Sequence, residues 1–257
     1  MNDVIRIGTR DSKLALWQAY HAKSKFEKLN IPVEIIKIKS EGDLNQITPL
    51  YEFGVTGIFT KNLDRALLNN EIDVAVHSLK DVPIRPAKGV KIGCVFKRAN
   101  PHDVLVLKNK EIDFSKKLII ATSSIRRKCQ WLHKYPNHKI EILRGNVDTR
   151  LQKLKKNNWD GAIFAQAGLE RLELNIKELL LLEWMIPSAA QGTIALATRE
   201  KDDTLKELLE KISCNDTMHC VTQERMFLKL MGGGCSMPIS AHAYFNKRKL
   251  ILKTNIC

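Results

Sequence analysis

The feature that most constrains this chain is a recurring unit: a short apolar run, a polar loop, then a helix start. Residues 4–8 run into Thr9-Arg10-Asp11-Ser12 and a helix that opens near Leu14. Residues 72–76 run into His77-Ser78-Leu79-Lys80-Asp81, and residues 119–121 into Thr122-Ser123-Ser124-Ile125-Arg126-Arg127. Residues 140–143 lead to Arg144-Gly145-Asn146 and a helix bearing Arg150. Residues 162–165 lead to Gln166-Ala167-Gly168, with Arg171 on the next helix. The alternation predicts an α/β fold with largely parallel sheets and right-handed crossovers. Open α/β sheets place ligands at the carboxyl ends of their strands. Those ends here carry Arg10, Lys80, Arg126, Arg127, Arg144, Arg150 and Arg171. Facing one cleft, they would select a ligand with several negative charges.

Each loop has two readings. Ser12 or Asp11 can simply cap a helix, and the same geometry makes an anion site. Lys80 and Asp81 form either a surface ion pair or a donor, cation and carboxylate set with Ser78, closed by Pro83. Residues 40–57 form a long polar loop, and a helix spans about 59–68. Further strands are expected at 33–39, 91–96, 103–107, 193–198, 239–245 and 250–253, with helices at 205–212 and about 220–231. Gly232-Gly233-Gly234-Cys235-Ser236-Met237-Pro238 puts one thiol on a bare turn. Glycines there allow close approach of a bulky group, so Cys235 is either a packing residue or a point of covalent attachment.

A chain of 257 residues holds one to three domains. Its formal net charge of +14 admits nucleic acid, an anionic membrane surface, an anionic small substrate, or a solvated lysine-rich surface. No zinc finger, RNP-like aromatic run or basic heptad region supports nucleic acid. The glycine runs make neither a P-loop nor a dinucleotide fingerprint, and no G-x-S-x-G elbow is present. Cys214, His219 and Cys220 match no common zinc spacing, so no metal is expected. The six cysteines form no CxxC pair and read as reduced thiols of a cytoplasmic protein. No apolar run approaches a membrane span and no secretory signal is visible.

Taken together, the motifs resemble the porphobilinogen deaminase (hydroxymethylbilane synthase) family. The resemblance rests on Ile7-Gly8-Thr9-Arg10 with Ser12 to Gln18, Val76-His77-Ser78-Leu79-Lys80-Asp81-Val82-Pro83, and Thr122 to Arg127. It continues through Leu143-Arg144-Gly145-Asn146-Val147, Thr149-Arg150-Leu151, Ala167-Gly168-Leu169 with Arg171, Gln191-Gly192 and Gly233-Gly234-Cys235 with Pro238.

That family implies two periplasmic-binding-protein-like α/β domains flanking a cleft, plus a small α/β third domain. The expected limits are 1–97 with 191–213, then 98–190, then 214–257. It implies a dipyrromethane cofactor held by a thioether to Cys235 and four rounds of deaminating condensation of porphobilinogen, with hydrolytic release of a linear tetrapyrrole. Asp81 would be catalytic, bridging pyrrole N–H groups and offsetting positive charge on the azafulvene. Asp43, Ser78, Lys80, Thr122, Ser123, Ser124, Arg126, Arg127, Arg144, Gly145 and Asn146 would bind the cofactor. Arg10, Ser12, Phe59, Arg150, Arg171 and Gln191 would bind substrate. The partner is porphobilinogen, with neither nucleic acid nor membrane, and the protein is expected to be a monomer. Three departures stand out. Glu52 and Thr56 replace lysines usual before the Phe59 helix, and Lys13 stands where proline is usual. The third domain is expected to be shortened, leaving one helix and a hairpin. The alternatives are a degenerate homologue that binds anionic pyrroles without turnover and a basic nucleic-acid-binding protein.

Overall fold

The computed structural model describes residues 4–39, 57, 59–233 and 237–257. The first sheet collects β1 (Ile5–Thr9), β2 (Val33–Lys37), β3 (Val74–Ser78), β4 (Val90–Val95) and, from far along the chain, β10 (Ile194–Arg199), in the order β2-β1-β3-β10-β4. Helix α1 (Lys13–Glu27) covers one face. It buries Gln18, Ala19, Ala22 and Phe26, a spacing that keeps one stripe inward. Ala19, Ala22 and Phe26 meet Ile5, Ile7, Val74 and Val76 in one core cluster. Helix α2 (Lys61–Leu68) covers the other face with Leu63, Ala66 and Leu67 against Ile72, Ala75 and Val90. Covered on both faces, these strands read as near-continuous apolar runs.

The second sheet collects β5 (Asp103–Leu107), β6 (Ile119–Ala121), β7 (Lys139–Glu141), β8 (Gly161–Ala165) and β9 (Leu179–Leu181), in the order β7-β6-β8-β5-β9. Helices α3 (Ile125–Lys134), α4 (Val147–Lys156) and α5 (Gln166–Arg171) follow β6, β7 and β8. The two α/β layers match the expected fold class. The expectation of largely parallel sheets needs correction. In each sheet four strands run one way and one runs against them, β10 between β3 and β4 and β5 between β8 and β9, so half of the neighbouring pairs are antiparallel. The reason is how the chain passes between sheets. Each crossing arrives at the end where the parallel strands finish, so the strand that receives it must run the other way.

The two crossings lie side by side. Ala99 N–H donates to Gly192 O at 3.1 Å, and Gly192 takes φ +84°. A Cβ there would stand 2.6 Å from Ala99 O, so both conformation and space call for glycine.

Helix α6 (Asp203–Ile212) returns to the first sheet, and Leu205, Leu208 and Leu209 join its core. The third unit is α7 (Asn215–Leu230) packed on a hairpin of β11 (Ile239–Asn246) and β12 (Lys249–Ile256). Helix α7 starts five residues before the expected position at 220. The small unit is fastened by polar contacts. Glu224, fully buried, accepts from Arg98, from Ala190 N–H at 2.6 Å and from Ala243 N–H at 2.6 Å. Arg225 donates to Val82 O at 3.0 Å and Pro83 O at 2.6 Å. Gln130 of α3 donates to Ser240 Oγ at 2.8 Å.

Candidate active site

The site is built where β3 ends. Leu79–Asp81 form a single 3-10 turn, with Leu79 N–H donating to Thr193 O at 2.9 Å. Arg225 fixes the carbonyls just beyond it. This turn presents Lys80 and Asp81 toward the second sheet. Lys80 Nζ donates to Gln191 Oε1 at 3.2 Å. Burial pulls its pKa down to about 8, opposed by the nearby Asp81 charge and assisted by Arg127.

On the other side, Ser124 caps α3 through Arg127 N–H, so both Arg126 and Arg127 fall in the first turn. Their guanidinium groups converge on Asp103, the first residue of β5. Arg126 Nη2 reaches Oδ2 at 2.7 Å, and Arg127 Nη2 reaches Oδ1 at 2.7 Å. Arg126 also donates to Ile186 O and Arg127 to Ile163 O. Gln191 Nε2 donates to Asp103 Oδ1 at 2.8 Å. Asp103 is wholly buried. Burial pushes its carboxyl up, but Arg126 and Arg127 win and hold it well below the usual carboxylate range.

Arg150 and Arg144 complete the cationic wall. Arg150 Nε donates to Gly145 O at 2.8 Å, at a turn where Gly145 takes φ +113°. Asn146 caps α4 through Thr149 N–H at 2.9 Å. Burial, then the charges of Arg127 and Arg144, lower the Arg150 pKa to about 10, while Asp81 raises it. Burial likewise lowers that of Arg144. Asp81 of the first sheet therefore sits within electrostatic reach of Arg150 on the second.

Beside β1, the Arg10 guanidinium stacks over the Phe59 ring at 4.2 Å. Near it, His77 is buried, and desolvation with the Arg10 charge holds its pKa at about 4. Lys13 Nζ meets Asp148 Oδ2 at 2.7 Å, an exposed pair joining the start of α1 to the start of α4.

The structure brings Lys80, Asp81, Arg126, Arg127, Arg144, Arg150 and Gln191 together. Several hydroxyls serve the scaffold. Ser12 caps α1 through Ala15 N–H, Ser78 accepts from Gln18 Nε2 at 2.8 Å, and Thr122 accepts from Ser124 N–H at 3.2 Å. Ser123 bonds both ways with the Leu143 backbone, at 2.8 and 3.0 Å. Arg171 stands apart from the cluster. It donates to Gly192 O at 2.6 Å and lies over Trp17, bracing α5 against α1 and the return crossing. Asp43 and Cys235 lie outside the described residues, as do Glu52 and Thr56.

Sequence reasoning missed Asp103, Arg98 and Glu224. Asp103 had a signal, because one acid opens an otherwise apolar strand. Glu224 had none, since an acid within a helix usually faces water.

Among the described residues the cluster sets five cations (Lys80, Arg126, Arg127, Arg144 and Arg150) against two carboxylates, Asp81 and Asp103. A surplus of partly desolvated positive charge fits a ligand bearing several carboxylates.

Comparison with known families agrees with that chemistry. The family described as "Porphobilinogen deaminase, dipyromethane cofactor binding domain" matches residues 5–207, and "Porphobilinogen deaminase, C-terminal domain" matches residues 218–257. The chain belongs to the porphobilinogen deaminase family. Within that family, a probable porphobilinogen deaminase of Methanocaldococcus jannaschii is 43% identical, covering 97% of this chain and 86% of that protein. The porphobilinogen deaminase of a Geobacillus species is 41% identical, covering 97% and 83%. That of Francisella tularensis subsp. novicida is 40% identical, covering 96% and 84%. Among solved structures, an ancestral cationic amino acid solute binding protein superposes with TM-score 0.49 at 15% identity, covering 90% of this chain and 91% of that one.

Proposed function

We infer that this chain is a hydroxymethylbilane synthase, a transferase acting on porphobilinogen. The family match over residues 5–207, on a domain that binds a dipyrromethane cofactor, carries the reading. The dipyrromethane, when bound, supplies the free pyrrole α-carbon that attacks the substrate. Four rounds of condensation with loss of ammonia, then hydrolysis, give a linear tetrapyrrole. The proposed domain limits are 1–97 with 191–213, 98–190, and 214–257.

Cys235 anchors the cofactor through a thioether in this reading. Lys80, Arg126, Arg127, Arg144 and Arg150 hold acetate and propionate groups. Asp81 lies within electrostatic reach of Lys80 and Arg150. It accepts from pyrrole N–H groups and offsets the positive charge that develops on the substrate as ammonia leaves. Arg10, braced by Phe59, serves the incoming substrate. Ser12, Ser78, Thr122, Ser123, Ser124, Gly145 and Asn146 hold the loops that carry these groups, and backbone donors at the starts of α1, α3 and α4 favour anions. Asp43 and Arg171 complete the proposed set. The protein works as a cytoplasmic monomer in this account. Among the described residues no helix is long and apolar enough to cross a membrane.

The test is direct. Purified protein is denatured and treated with an aldehyde reagent for pyrroles, and the Cys235 peptide is weighed. The expected result is a pyrrole colour, a dipyrrole mass on that peptide, and bilane formation from porphobilinogen. An unmodified Cys235 after exposure to substrate sinks the tether. A loaded Cys235 without bilane makes the chain a binding homologue.

A further inference from the structure

Outside the site, the hairpin and the second layer enclose a cavity of about 280 Å³, lined among others by His102, Met185, Ile186, His242, Tyr244 and Lys253. Strand alternation sets the hairpin's side of it. Side chains two apart share a face, so Ser240, His242 and Tyr244 point together toward the second layer, where Gln130 meets Ser240. Lys253 stands opposite His242 in the ladder, and its Nζ lies 5.5 Å from the Tyr244 ring centroid. The His242 ring is 5.5 Å from that of Tyr244 and 6.0 Å from that of His102, next to the first crossing.

The charge inside is positive. Among the described residues the Lys253 amine has no hydrogen bond or ion pair. Burial, then the charges of Arg98, His102 and Lys253, hold the His242 pKa at about 4. Its imidazole is therefore neutral near pH 7 and has one N–H to donate. Glu183 also borders the cavity, but it is exposed and screened by water. A cation beside an aromatic face, imidazole donors, and an apolar side from Met185 and Ile186 suit a flat ring bearing one carboxylate. The volume lies just under the usual lower limit for ligand pockets, about 300 Å³, which restricts the occupant to one ring.

We propose that this cavity is an effector site for a small aromatic monocarboxylate. The carboxylate takes the Lys253 amine and an imidazole N–H, and the ring lies among Tyr244, Met185 and Ile186. One wall of the cavity is also a mount of the cationic cluster. Ile186 O accepts from Arg126 at 2.8 Å and from Gln130 at 3.0 Å, and Ile186 N–H donates to Gln130 at 2.9 Å. His102 directly precedes Asp103, the carboxylate that Arg126 and Arg127 share. A ligand pressed on Ile186 and His102 therefore changes how Arg126 is held. Any effect on turnover rests on the hydroxymethylbilane synthase reading; binding and its effect on Arg126 do not.

The experiment titrates the whole 257-residue protein with benzoate and follows it by NMR. The expected result is one site with a dissociation constant of about 1 mM or tighter, with nuclear Overhauser contacts from the benzoate ring to Tyr244 and Met185. The Arg126 guanidinium signals should shift as the site fills. Benzyl alcohol, which lacks the charge, and inorganic phosphate, which lacks the ring, should each bind about tenfold more weakly. Lys253→Met, at an exposed position, should keep the fold and weaken benzoate about tenfold. In turnover, saturating benzoate should shift KM for porphobilinogen about twofold or more, at tenfold higher benzoate in Lys253→Met. Equal binding to Lys253→Met overturns the site, since benzoate then sits elsewhere, the cationic cluster included. Binding that leaves the Arg126 signals unmoved overturns the effector role. If the protein makes no bilane, the proposed function fails, while the binding and the Arg126 signals still decide this proposal.

Discussion

Lys80 donates to the Gln191 side chain at 3.2 Å, and that same amide donates onward to Asp103 at 2.8 Å. One neutral side chain on the return crossing therefore couples the turn after β3 to the two arginines that share Asp103. The amide costs no charge and needs no proton, so the coupling holds across pH. What changes with pH is the amine at one end of it.

Burial leaves Lys80 with a pKa of about 8. The sign follows directly. Below that value the amine is a cation and can hold a carboxylate; above it the charge is lost. In kcat/KM for porphobilinogen, which reports the free enzyme, activity should fall as pH rises through about 8. Lys80→Arg should flatten that limb, because a guanidinium keeps its proton. A pH–rate profile from 6.5 to 9.5 reads both variants, and an unchanged limb in Lys80→Arg assigns it to another group.

Asp103→Asn removes the one carboxylate shared by Arg126 and Arg127. Breaking a buried pair from one side costs about 3–5 kcal/mol. The urea midpoint should drop accordingly. The wild-type contribution is fully present above the unfolded carboxylate pKa, about 3.9, and is lost as pH falls through the depressed folded value. Acid titration of stability should therefore be shallower in the variant below about pH 4.

The strand–loop–helix repeat made the two α/β layers legible, because apolar runs and cap residues are local signals. The cationic residues that gather at the site were legible for the same reason: each follows directly on a strand. Strand direction was not. Whether β5 and β10 run parallel depends on which end of the sheet the crossing enters, and no local pattern carries that. Arg126 and Arg127 were readable as a pair, but their common partner, 23 and 24 residues back, was not. Glu224 is the extreme case, since its donors come from residues 98, 190 and 243.

Glu224→Gln should be severely destabilising, by about 3 kcal/mol or more. An amide NH₂ would face groups that all donate. The Ala190 and Ala243 amides donate to different oxygens, and glutamine keeps one of them as an acceptor, so hydrogen exchange should accelerate most at the amide left facing the NH₂. Unchanged exchange at both would show that neither contact depends on the carboxylate.

Asp81→Ala should load cofactor poorly or stall, with kcat lowered roughly 10²–10⁴-fold. Quench-flow single turnover separates the chemical step from product release. Normal turnover in this variant would remove Asp81 from the mechanism.

The paired crossings have a mechanical consequence. A body joined at one strand can swivel freely; one joined at two adjacent strands swings about their common line. Glu224 touches both strands, through Arg98 and Ala190, and so acts as a pin along that line. In such a swing, displacement grows with distance from the axis. Were the layers to swing about that line, Lys80, Gln191 and Asp103 beside it would keep their spacing. Lys13 and Asp148 meet at the exposed starts of α1 and α4, where a weak ion pair makes and breaks cheaply. In such a swing the charge pattern near the pin would stay constant while the distance across the mouth changed.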